Sequence, residues 1–144
     1  MNPSTQHFLD PLPAANAEAK VILVVDDDPA LVNLLREDLQ EEGYEVLCGF
    51  DGQMAIQMAR QKRPDLVILD INMPMTNGFK TFEFLRGNEN TRLVPIIFVS
   101  GELSKDVYPR ISNQPRIAHL KKPMDLENLN SMVRHFLAQY PVSE

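Results

Sequence analysis

One cysteine, Cys48, stands in the whole 144-residue chain, so no internal disulfide can form. No basic stretch followed by an apolar core opens the sequence as a secretory leader would. Together these absences point to a reducing, cytoplasmic setting. Positive charge is also short: 14 Lys and Arg stand against 20 Asp and Glu, a formal net charge of -6. Phosphate backbones are gripped by surplus Lys and Arg, so direct nucleic-acid binding is not expected. Apolar runs stop at about five residues, far below the roughly 20 that a membrane-spanning helix needs, and no membrane role is expected. Internal repeats and low-complexity tracts are missing as well.

What is present has the make-up of an ordinary globular domain. Hydrophobic residues form 44% and charged residues 24% of the chain, and 144 residues suit one domain with a sizeable core. Residues 1–19 carry Pro3, Pro11 and Pro13 with little to bury, and read as a disordered tail. Residues 20–140 form the folded domain and residues 141–144 a short C-terminal tail. Within the domain, short branched runs alternate with helical patterns. The runs are VILVV (Val21 to Val25), YEVLC (Tyr44 to Cys48), LVIL (Leu66 to Leu69), PIIFV (Pro95 to Val99) and RIAHL (Arg116 to Leu120). Most are apolar throughout, as strands covered on both faces must be. Leu31, Leu34, Leu35 and Leu39 recur at helical spacing, as do Ala55, Met58 and Ala59, then Phe79, Phe82 and Leu85, and finally Leu126 to Leu137. Asp28-Pro29, Asp51-Gly52 and Asp125 are helix starts, and Gly43 a helix end. Five strand-helix alternations predict an α/β fold with a parallel sheet, doubly wound by helices on both faces.

In such sheets the functional site lies beyond the carboxyl ends of the strands. The first strand is followed by Asp26, Asp27 and Asp28, the third by Asp70, the fourth by Ser100 and the fifth by Lys121 and Lys122. Asp28 is accounted for as a helix cap. Asp26 and Asp27 then face the crevice, with Asp70 beside them if the third strand neighbours the first. Close carboxylates repel by on the order of a few kcal/mol per pair at an effective dielectric near 20, and a bound cation would relieve this. Oxygen donors without paired His or Cys suit Mg²⁺ or Mn²⁺ rather than zinc.

The segments VILVVDDDP, DLVILDINMPMTNG and LKKP, taken in order, resemble the response-regulator receiver domain of two-component signalling, in its stand-alone, chemotaxis-regulator form. The resemblance runs from Lys20 to about Tyr140. It implies a flavodoxin-like five-stranded sheet in the order 2-1-3-4-5. It also implies that Asp70 accepts a phosphoryl group, that Asp26 and Asp27 with Asp70 hold Mg²⁺, and that Asn72 lends the ion its backbone carbonyl. Lys122, directly before Pro123, matches the phosphate-contacting lysine, and Lys121 is then a solvated neighbour. Ser100 matches the hydroxyl that bonds the phosphoryl group, followed by Gly101 where the family usually has Ala. Gly78 and Pro74 fit the turn after the phosphorylation strand. The implied role is that of a signalling phosphoacceptor assisting its own phosphorylation and dephosphorylation, not an enzyme on external substrates. Its partners would be a histidine kinase or histidine phosphotransfer protein, a downstream effector and, in some family members, a second copy in a homodimer.

Two departures from the family pattern stand out. The aromatic switch position three residues before Lys122 holds His119, whose imidazole either reports the phosphorylated state by changing rotamer or fills strand space. Pro109 falls where the fourth helix is due and predicts that this helix is short or broken, with Tyr108 exposed beside it and the usual partner face altered. Glu37, Asp38, Glu41 and Glu42 read as the solvated face of the first helix, and Met54, Met58, Met73, Met75, Met124 and Met132 as core or crevice filler. With only Pro141 to Glu144 beyond Tyr140, a stand-alone receiver is expected. The alternatives are a receiver-like interaction scaffold that is never phosphorylated and a receiver fragment of a larger hybrid kinase or regulator. An aspartyl phosphatase of the haloacid-dehalogenase type would need an acid where Asn72 stands. Dinucleotide binding would need a glycine-rich loop where the chain has DDDP.

Overall fold

The computed structural model describes residues 19–73, 78–101, 103 and 105–142. The expectations for residues 1–18, for Pro74 and Met75 and for the last two residues fall outside them. Five strands form one sheet: β1 (Val21–Val25), β2 (Glu45–Gly49), β3 (Leu66–Leu69), β4 (Ile96–Ser100) and β5 (Ile117–Lys121). Every pairing is parallel and the order is β2-β1-β3-β4-β5. Between and after the strands run α1 (Pro29–Glu41), α2 (Gly52–Lys62), α3 (Gly78–Gly87), α4 (Tyr108–Ile111) and α5 (Leu126–Gln139).

Alternation along each strand sends residues to two cores. Leu23 and Val25 face the side covered by α2, α3 and α4, with Phe79, Phe82 and Phe98 stacked among them. Ile22 and Val24 face α1 and α5. A strand buried on both faces must be apolar at every position, which is why β1, β3 and β4 read as unbroken runs.

The helix starts behave as their sequence dictates. The Asp28 carboxylate accepts from the Ala30 and Leu31 amides at 3.0 and 3.4 Å with Pro29 in the first turn. Asp51 accepts from Met54 at 2.8 Å, and Asp125 from Glu127 at 3.0 Å. Gly43 takes φ 101°, a left-handed conformation that costs glycine little, just past α1. The fourth helix is a single turn of four residues with Pro109 at its start, and Tyr108 is exposed.

Three details differ from the sequence reading. β2, β4 and β5 each sit one residue later than their apolar runs. Pro95 has no N–H to donate, so the β4 ladder starts at Ile96, and it ends on the polar pair Ser100 and Lys121, which are register partners. In α1 the buried positions are Val32, Leu35 and Leu39, while Leu34 is 49% exposed. Asp38 is not merely solvated: it accepts a hydrogen bond from Asn130 Nδ2 at 2.9 Å, joining α1 to α5.

Candidate functional site

β1 and β3 lie side by side with Val25 opposite Leu69, so the next residue of each, Asp26 and Asp70, emerge together at the carboxyl edge. The Asp70 amide donates to the Val25 carbonyl at 3.0 Å, and the Asp26 amide to the Gly49 carbonyl at 3.2 Å, which fixes both residues on the sheet. Asp26 and Asp70 are 3% and 4% exposed, whereas Asp27 opens to solvent. One carboxylate oxygen from each of the three lies within 4.8 Å of the others.

The two buried acids are held in the same manner. Asp26 Oδ1 accepts from the Asp28 amide and Asp70 Oδ1 from the Asn72 amide, each at 3.0 Å and each two residues ahead in the chain. Such local side-chain to backbone bonds are what Asp favours in turns. Their second oxygens converge on one cation: Lys122 Nζ is 2.8 Å from Asp26 Oδ2 and 3.4 Å from Asp70 Oδ2.

Burial pushes the Asp70 carboxyl above its ordinary value. The Asp26 charge adds to that rise, and the Asn72 amide and the Lys122 ammonium oppose it without cancelling it. Lys122 shows the reverse balance. Burial alone would lower it, but its hydrogen bond to Asp26 and the charges of both acids carry it above the usual lysine value. The pocket is thus an anionic crevice with an excess of carboxylate over ammonium, chemistry that fits a hard divalent cation.

Ser100 closes β4 fully buried, with its hydroxyl 3.3 Å from His119 Nε2 on β5. Its carbonyl oxygen accepts from the Lys122 amide at 2.8 Å. Lys121 is exposed and Lys122 half-buried, so the two lysines face different surroundings. The Lys122–Pro123 peptide bond is cis.

The response regulator receiver domain family profile matches residues 22–134, from the second residue of β1 into α5. The chain belongs to that family. Its receiver domain is 33% identical over 118 residues to a DNA-binding dual master transcriptional regulator, RpaA, of Synechocystis, a match covering 81% of this chain and 48% of that protein. It is 27% identical over 118 residues to the polar-differentiation response regulator DivK of Brucella anthropi, covering 82% of this chain and 96% of the relative. The chain therefore spans about half of the first relative and nearly all of the second. Among solved structures, the chemotaxis protein CheY4 of Vibrio cholerae superposes with a TM-score of 0.76 at 28% identity, over 83% of this chain and 99% of that one. The receiver domain of a histidine kinase from Syntrophus aciditrophicus gives 0.77 at 28% identity, over 88% and 96%. Membership places the chain in two-component signalling.

In the receiver domain, Asp26, Asp27, Asp70 and Lys122 are brought together, and Ser100 stands on the adjacent strand end. Asn72 is exposed beside Asp70, engaging it through its amide. Gly78 has a role that spacing alone understates. Its amide donates to the Ile71 carbonyl at 3.1 Å, and a Cβ there would overlap the Asp70 carbonyl oxygen and the Ile71 backbone. Only glycine lets α3 start this close to the end of β3. The Asp28 and Asn72 amides are the functional groups that sequence reasoning missed. The signal was available, since an Asp in a tight loop bonds the amide two residues on. Among the described residues no helix is long and apolar enough to cross a membrane.

Proposed function

We propose that this receiver domain takes a phosphoryl group onto Asp70 from the phosphohistidine of a histidine kinase or histidine phosphotransfer protein, with Mg²⁺ (or Mn²⁺) held by Asp26, Asp27, Asp70 and the Asn72 backbone carbonyl. The supporting observation is the convergence of Asp26 Oδ2 and Asp70 Oδ2 on the Lys122 ammonium, beside a third carboxylate. When bound, the divalent ion supplies positive charge against the phosphoryl oxygens.

The side chains of the chain do the rest. A carboxylate oxygen of Asp70 attacks phosphorus, an O–P bond forms as the donor's N–P bond breaks, and the imidazole leaves with the bonding pair. Phosphoryl transfer concentrates charge on the equatorial oxygens, so catalysis is positioning and neutralisation. Lys122 contacts one such oxygen and Ser100 donates to another. Asp26 keeps Lys122 in reach while the acceptor is empty. A water that attacks phosphorus in the resulting acyl phosphate breaks the new O–P bond, releases inorganic phosphate and returns Asp70 to its starting form. The added charge draws the Ser100 loop inward and, with His119, alters the surface presented to a downstream effector or a second copy.

Incubation with Mg²⁺ and acetyl phosphate, followed by intact mass measurement, tests the assignment. One phosphoryl adduct is expected on the native chain and none on Asp70→Asn. An adduct on both, or on neither, counts against it.

A further inference from the structure

The family's switch position holds an imidazole here, and that imidazole is already engaged: His119 Nε2 lies 3.3 Å from the Ser100 hydroxyl. A serine hydroxyl has a single proton to give. A neutral imidazole whose Nε2 is the acceptor takes that proton for itself, leaving nothing to donate to a phosphoryl oxygen. An imidazolium carries N–H on both nitrogens, so the hydroxyl oxygen becomes the acceptor and its proton is released for another partner.

We propose that His119 is a positioning residue for Ser100, and that its protonation hands the Ser100 hydroxyl over to the phosphoryl group on Asp70. This rests on the phosphoacceptor reading given above and adds proton control of the phosphorylated state to it.

The surroundings of the ring suit such a device. His119 is Phe98's register partner across the β4–β5 ladder and lines a groove of about 320 Å³ with Leu103, Tyr108 and Ile111. Among the described residues, the groups facing it that titrate or carry charge are Lys121 on its own strand and Tyr108 on α4. β4 contributes Phe98 and Ser100, neither of which titrates at these pH values. Burial lowers His119 from its ordinary value, a hydrogen bond to the Ser100 backbone opposes that and the Lys121 charge adds to it, a balance that favours the neutral ring. His119 is only partly buried, so solvent can supply its proton. Linkage is reciprocal: if protonation favours the phosphorylated site, an anionic group on Asp70 must raise the affinity of His119 for its proton by the same factor.

The test follows the His119 ring nitrogens by ¹⁵N NMR titration of the full chain in Mg²⁺, with and without beryllofluoride as the phosphoryl probe, the resonance being assigned with His119→Phe. Without the probe, the neutral ring should carry its proton on Nδ1. With it, the His119 pKa should rise, and probe affinity should be about threefold greater at pH 6 than at pH 8 by the same linkage. That pH-dependent gain should vanish both in His119→Phe, which keeps ring bulk, and in Ser100→Ala. A neutral ring protonated on Nε2, an unmoved His119 pKa with the probe bound, or an unchanged pH profile in the variants would overturn this inference alone. Failure of the probe to bind the native chain would overturn the phosphoacceptor reading along with it.

Discussion

Asp26 and Asp70 share one ammonium: their Oδ2 atoms stand 2.8 and 3.4 Å from Lys122 Nζ, with the nearer contact to the residue that is not the proposed acceptor. Lys122 is therefore a counter-ion to the pocket before it takes up the phosphate contact proposed for it. Lys122→Met keeps the stem and removes the charge, leaving two buried carboxylates uncompensated. Breaking a buried pair costs about 3–5 kcal/mol, and with the Lys122 side chain 29% exposed we expect a loss nearer 1–2 kcal/mol at pH 7.5 without metal. Urea denaturation measures it. Mg²⁺ should restore more stability to the variant than it adds to the native chain, and phosphoryl uptake from acetyl phosphate should fall at least tenfold, on the order of 1.4 kcal/mol of transition-state stabilisation.

Asp70 gives a pH dependence of definite sign. Its carboxyl is raised by burial and by Asp26, so its protonated form contributes stability that is fully present below pH 3.8 and lost as pH rises through the folded-state value. At neutral pH the ionised group is a liability to the metal-free fold. Asp70→Asn should accordingly melt a few degrees above the native chain at pH 7.5 in chelator, corresponding to about 1 kcal/mol. The gap should shrink as pH falls toward 4. A constant gap across that range would contradict the assignment of the strain to charge.

Gly78→Ala should be costly although it adds one methyl group. The new Cβ meets backbone at Asp70 and Ile71, which has no rotamer to yield, so α3 must move away from the end of β3. Overpacking of this kind costs about 1–3 kcal/mol or more. Gly101→Ala, where nothing lies within 4 Å of the added carbon, should be close to neutral, and thermal melts of the pair separate the two.

Leu34 and Leu35 are sequence neighbours with opposite environments. Leu35→Ala removes a side chain that is 1% exposed and should destabilise by about 2–5 kcal/mol, while Leu34→Ala, at 49% exposure, should change stability by less than about 0.5 kcal/mol. Denaturant midpoints at equal slope would show it, and similar losses for both would mean α1 is rotated about its axis.

The same pair marks where the sequence stops being legible. Four leucines at helical spacing announce a helix, yet which of them face the sheet depends on the phase set by the Asp28 cap, and the buried set became Val32, Leu35 and Leu39. The strand order and the choice of Lys122 over Lys121 came from the resemblance to receiver domains, while the gathering of Asp26, Asp27, Asp70 and the lysine pair at one edge was readable because parallel strands of a doubly wound sheet present their carboxyl ends together. The apolar runs missed the ends of β4 and β5 because Ser100 and Lys121 pair in the ladder while being polar. Contacts between distant residues left no local trace: Asn130 reaches Asp38 across 92 positions, and Ser100 meets His119 across 19.

The hydrogen bond from the Lys122 amide to the Ser100 carbonyl oxygen, 2.8 Å long, welds the tips of β4 and β5 into one mechanical part. The hydroxyl and the ammonium hang from that single piece, so a tug on either tip shifts both together. α5 begins four residues after Lys122, which puts a lever arm on the same piece.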